Sequence, residues 1–199
     1  MLLIGFGSRA RQGKDTAGES VVNHLNGSYD LWMKHDSRLR HSKYTNTYPK
    51  LNPKPQAGLF KFAAALYQEC REKYGMTEKD APLLQRIGSE RRAENPNYWV
   101  DKVFESVPTN LGVAVITDLR YQNEAWAIKE RGGFTVRIVR LNADGTPYIA
   151  GDRPADHPSE TDLDGYNFDF RIVAKSGETA WVEQQAITLV EYLLGLTKS

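Results

Sequence analysis

The sequence predicts an α/β sandwich: a mostly parallel five-stranded sheet with helices on both faces. Three observations carry this. Apolar runs of strand length alternate with stretches of helical spacing throughout the 199 residues. The first run, residues 1–6, stops at a glycine-rich basic loop, and a helical pattern begins directly after it. The run at residues 112–117 is nearly continuous, small and β-branched, as a strand covered on both faces should be.

The elements follow in chain order. After the opening strand comes Gly7-Ser8-Arg9-Ala10-Arg11-Gln12-Gly13-Lys14-Asp15-Thr16, and then Ala17, Val21, Val22 and Leu25 at helical spacing. Strand, loop ending in Gly-Lys, and helix form the context of a phosphate-binding loop. Backbone N–H groups and the positive helix end face a polyphosphate, and Lys14 reaches its outer phosphates. Arg11, Gly13, Asp15 and Thr16 complete the expected ATP-facing set. The pattern departs from G-x-x-x-x-G-K-[ST] at two places: Ser8 stands where the first glycine belongs, and Asp15 where a metal-binding hydroxyl belongs. A carboxylate beside phosphates must turn away or meet the metal through water, so Thr16 is the expected hydroxyl.

Residues 30–57 are basic, contain Pro49, Pro53 and Pro55, and show little periodicity. They read as a long loop or extended insertion. A second short strand is expected at 59–63, running into a helix that Gly75 stops. Helices from Pro82 and from Pro96 complete a helical region over 63–107, one wall of a substrate cleft. The strand at 112–117 ends in Asp118-Leu119-Arg120, where an acidic residue is well placed to hold Mg²⁺ beside the phosphate loop. A helix from 123 to Gly132, a strand at 134–141, a polar loop over 142–160, a strand at 168–174 and a last amphipathic helix follow.

Composition narrows the function classes. Forty per cent hydrophobic and 26% charged residues suit one globular domain of this length. A net charge of +1 gives no general reason to expect nucleic acid or an acidic membrane as partner. The single cysteine, Cys70, excludes an internal disulfide and reads as a packing residue. With no basic leader and no apolar run near the ~20 residues of a membrane span, a cytoplasmic protein is expected.

Several stretches, taken together and in order, resemble the phage deoxynucleoside monophosphate kinases. They are Gly13-Lys14-Asp15-Thr16, Phe62-Ala63 leading into a helix, Leu84-Gln85-Arg86-Ile87-Gly88, Trp99, Ile116 to Glu124 (ITDLRYQNE) and His157-Pro158-Ser159-Glu160. The resemblance implies a three-layer P-loop kinase fold with a helical acceptor-binding insert. It also implies transfer of the γ-phosphoryl of ATP to a deoxynucleoside monophosphate, with Mg²⁺, in the cytoplasm (the host's, for a phage-encoded chain). A nucleotide's phosphate is already an anion and needs no general base, so catalysis should rest on cations. Lys14 and Arg120 are the first candidates, with Arg153 on a lid that closes over ATP. Arg86, Arg91 and Arg92 are candidates for the acceptor's phosphate, Trp99 and Tyr121 for stacking on its base, and Glu160 for acceptor binding. Thr16 and Asp118 are the expected metal residues. ATP and the acceptor are the expected partners, and the sequence is compatible with a homodimer.

Two other readings fit fewer residues. A kinase for another small phosphorylated metabolite with an alcohol acceptor would want a carboxylate base, and Asp36 is the candidate. A non-catalytic module would use 30–57 to hold nucleic acid.

Overall fold

The computed structural model describes residues 1–39, 55–151 and 155–196. The elements are β1 (Leu2–Gly7), α1 (Lys14–Leu39), β2 (Ala57–Phe60), α2 (Phe62–Tyr74), α3 (Ala81–Glu94), α4 (Tyr98–Ser106), β3 (Val113–Leu119), α5 (Gln122–Glu130), β4 (Phe134–Leu141), α6 (Pro158–Thr161), β5 (Phe170–Lys175) and α7 (Thr179–Leu196). The five strands form one sheet in the order β2-β3-β1-β4-β5. Every pairing is parallel, so the sheet is parallel throughout rather than mostly.

Side-chain alternation explains the layers. Leu2, Ile4 and Phe6 of β1, with Val113 and Val115 of β3, pack on Ala17, Val21 and Leu25 of α1 and on Val182, Ala186 and Val190 of α7. The intervening Leu3, Ala114 and Ile116 point the other way, to Phe62 of α2, Val100 and Val103 of α4 and Ile128 of α5. The whole of β1 is buried because both its neighbours and both its faces are covered. A third, smaller core joins the helical insert to itself: Cys70, Met76, Leu84, Ile87 and Trp99.

Helix α1 presses on β3 at Gly18, where a Cβ would stand 2.1 Å from Thr117 Cγ2 and 3.2 Å from Val115 Cγ1. Gly18→Ala is therefore expected to destabilise the fold by about 1–3 kcal/mol through overpacking. Urea unfolding, read as a lower midpoint at an unchanged slope, checks this.

Three expectations are corrected. Residues 30–39 continue α1 instead of opening a loop: the prolines behind the loop reading all lie beyond Leu39, and residues 40–54 fall outside the described ones. The second strand runs at Ala57–Phe60, not 59–63. Lys61 is extended at the N-cap, and α2 starts at Phe62 because the carboxylate of Asp118 accepts the Phe62 and Ala63 amides, both at 2.8 Å. No local pattern encodes that. The 142–160 segment is not wholly a loop, since Leu141 and Pro147 form a bridge and α6 sits near its end. Among the described residues, no helix is long and apolar enough to cross a membrane.

Candidate active site

The loop between β1 and α1 is anchored at both ends. Ser8, standing where a first glycine was expected, donates its hydroxyl to the Ile138 carbonyl at 2.5 Å. The Gln12 amide donates to the Tyr148 carbonyl at 2.7 Å and accepts the Arg140 backbone N–H. The loop is thus tied to β4 and the connection after it, and its curvature is set by Arg11 (φ 56°) and Gly13 (φ 98°). Positive φ is readily taken by glycine and costly for arginine.

Lys14 opens α1 with only 6% exposure. Its Nζ donates to the Ser8 carbonyl at 3.0 Å and to that of Arg9 at 2.6 Å. Burial, and then the nearby Arg120 guanidinium, bring its pKa down from 10.5 to about 7, against the pull of Glu160, Asp15 and Asp118. This is a desolvated amine whose charged form a nearby anion would favour.

Arg120 follows β3 and meets the loop through Glu160. One Glu160 oxygen accepts Arg120 Nη1 at 2.6 Å and the other accepts the Ala10 N–H at 2.7 Å. Glu160 is 6% exposed. It was expected at the acceptor; the structure places it against the β1–α1 loop, where it holds Arg120. Below them, Glu124 accepts the Arg120 N–H at 2.8 Å and the Tyr121 N–H at 3.2 Å. Burial, with Asp118 adding to it, pushes the Glu124 carboxyl up to about 8 in spite of those two amides.

The metal expectation divides. Asp118 lies within β3 and turns both oxygens to the N-terminal amides of α2, and burial raises its pKa even so. It works as a helix cap. Asp15 lies on the opposite side of β3, where the Thr117 hydroxyl donates to its Oδ1 at 2.8 Å and Lys61 Nζ stands 2.7 Å away. Partial burial would raise the Asp15 carboxyl, but the hydrogen bonds from Lys61 and Thr117 outweigh it and hold the group below its ordinary value. Thr16 lines the same cleft. Among the described residues no group of three or more His, Cys, Asp or Glu gathers to hold a metal. One carboxylate with phosphates is nevertheless a normal donor set for Mg²⁺, so the residues present fit a cation that arrives with a nucleotide.

The cleft has a volume of about 520 Å³ and runs from Arg11–Thr16 past Thr117 and Arg120 to the β5–α7 connection at Lys175, Gly177 and Thr179. It brings together Arg11, Gly13, Lys14, Asp15, Thr16, Asp118 and Arg120 as expected. Lys61, Thr117, Arg140 and the β5–α7 connection were not singled out in the sequence. One signal points to them: they lie at or just beyond the C-terminal ends of parallel strands, where ligands of open α/β sheets bind.

The acceptor-side expectations separate similarly. Arg92 donates to the Gly88 carbonyl at 3.1 Å, and its guanidinium lies 4.6 Å from the centre of the Tyr121 ring. These two residues stand together beside Arg120. Arg91 is instead bound by Glu69 at 2.9 Å and by Glu94 at 3.1 Å. Those carboxylates push its pKa up further, and Tyr98 donates to the same Glu69 at 2.6 Å. Arg86 faces Glu90 and the Tyr74 ring. Trp99 is 2% exposed, donates its indole N–H to Gly88 and fills the insert's own core, so it presents no face to a base. Cys70 is fully buried in that core, as a packing residue should be. Arg153 and the Asp36 side chain lie outside the described residues.

A scan against protein-family models finds no match to this chain, and neither does a search of curated proteins.

Proposed function

We propose that the protein is a nucleoside monophosphate kinase that transfers the γ-phosphoryl of ATP to a deoxynucleoside monophosphate, giving the diphosphate and ADP. The observation that carries this is the pairing of a desolvated Lys14, inside a loop anchored to β4, with Arg120, whose backbone and guanidinium are both held in place. Two fixed cations at the head of an open cleft suit the meeting of two anionic phosphates. Oriented positive charge stabilises the charge that shifts as the phosphoryl group moves.

The roles divide by position. The loop's N–H groups and the N-terminus of α1 cradle the donor phosphates. Lys14 neutralises their outer oxygens, and Arg120 faces the space between donor and acceptor. Arg92 and Tyr121 form the acceptor's nearest wall, a guanidinium for phosphate and a ring for the base. Mg²⁺, arriving with ATP, adds positive charge on the phosphate oxygens. The acceptor phosphate attacks as an anion, so the reading asks for no catalytic carboxylate base.

The test is a coupled ADP-release assay with Mg·ATP against all common ribo- and deoxyribonucleoside monophosphates. Turnover with one or more deoxynucleotides is expected. If no monophosphate yields a diphosphate, the proposal fails.

A further inference from the structure

Asp15 occupies the place after the loop lysine where a hydroxyl is usual, and the residue of the neighbouring central strand that meets it is the hydroxyl of Thr117, not the carboxylate of Asp118 expected there. The two side chains meet, with Thr117 Oγ1 donating to Asp15 Oδ1 at 2.8 Å. Hydroxyl and carboxylate are both present at this junction, in exchanged positions. From this we infer that Asp15, oriented by Thr117, is the residue of this chain that faces the Mg²⁺ of the bound nucleotide. The inference rests on the kinase reading above and adds the identity of its metal-facing residue.

Four observations support the exchange. Thr117 is fully buried and pinned under α1 by the close approach at Gly18, so its hydroxyl holds a fixed direction. Lys61 and Thr117 both take Oδ1, which leaves Oδ2 without a hydrogen bond among the described residues, on a side chain that is 60% exposed and lines the cleft. Asp118, the other carboxylate of this region, has both oxygens committed to the α2 amides, and releasing it would strip that helix of its cap. Finally, the repulsion a carboxylate would exert on phosphates is reduced, though not removed, because Lys61 stands 2.7 Å from Asp15. The negative charge that remains beside the loop disfavours metal-free nucleotide and favours the metal complex. The site therefore selects Mg·ATP over ATP. Mg²⁺ keeps several waters and takes one or two carboxylates along with substrate phosphates, so one acid is enough.

The test is binding, not turnover. A non-hydrolysable ATP analogue is titrated calorimetrically into the protein, without acceptor, in EDTA and again in excess Mg²⁺. Wild-type protein is expected to bind more tightly with Mg²⁺. Loss of an outer partner of a metal ligand commonly costs 10–100-fold, so Thr117→Val is expected to reduce that tightening by roughly 10-fold. Asp15→Asn should remove at least as much, with metal-free affinity unchanged or improved because a negative charge has gone. The metal-free titration also reports that each variant is folded. Asp15→Glu, which keeps the charge one methylene further out, should retain part of the tightening. If Asp15→Asn keeps the full Mg²⁺ effect, or if Thr16→Val abolishes it while Asp15→Asn does not, the assignment is overturned and the kinase reading stands. Wild-type protein that binds the analogue in neither buffer overturns both.

Discussion

Replacing Lys14 with methionine is expected to lower kcat by roughly 10²–10³-fold, the usual loss when one oriented group that stabilises transition-state charge is removed. The melting temperature should not fall. The amine is 6% exposed, and its pKa of about 7 measures how poorly the folded protein tolerates its charge. The folded value lies below the ordinary 10.5, so the unfolded chain binds more protons between those two pH values, and stability rises across that window. Below about pH 7 the cost of the buried charge is present in full. Methionine fills the same space without it, which offsets the two hydrogen bonds to Ser8 and Arg9 that are lost. For a chain of this size each kcal/mol moves the melting temperature by about 2–4 °C, so calorimetry resolves the outcome. The same titration has a second readout. Polyphosphate beside Lys14 favours its charged form, so at about pH 8 nucleotide binding should take up most of one proton, visible as a buffer-dependent binding enthalpy. Lys14→Met should abolish that uptake. Unchanged turnover in this variant would mean that the phosphate site lies elsewhere.

Much of the frame was legible in the sequence because it depends on short-range regularities. The continuous apolar run of β3, the alternation along β4 and the strand–loop–helix around Gly13 and Lys14 are local patterns, and the structure reproduces them. The central placement of β1 follows from parallel pairing with both β3 and β4. What failed to show was long-range. Asp118 sits beside the phosphate loop in a linear reading, yet strand alternation turns it to the α2 face, while Thr117, one residue earlier, faces Asp15. One step along the strand decides which of these two cleft-lining residues caps α2 and which holds Asp15. Trp99 was a stacking candidate only as an aromatic ring within the resembling stretches, and the packing of the helical insert makes it a core residue. Glu160 reaches the Ala10 N–H across 150 positions of sequence, a contact that no motif spacing encodes.

Arg120→Ala is the second large effect expected, and its interest lies in separating two roles of one side chain. The guanidinium faces the cleft and also binds Glu160, whose side chain is only 4% exposed. Removing it should lower kcat by roughly 10²–10³-fold and, by weakening the satisfaction of a buried carboxylate, should cost about 1–3 kcal/mol of stability. Adding Glu160→Gln distinguishes the two losses. The neutral amide still accepts the Ala10 N–H and no longer needs a cation, so the double variant should regain melting temperature without regaining turnover. Arg120→Lys keeps the charge but not the planar fork, and should fall between wild type and alanine in kcat. The Lys14 linkage supplies an independent check. Arg120 is the second cause of the low Lys14 pKa, after burial. Without it Lys14 is more fully protonated in the free protein, and nucleotide binding at about pH 8 takes up fewer protons than in wild type. Recovery of turnover along with stability in the double variant would make Arg120 a structural residue and leave Lys14 as the cation on which the chemistry rests.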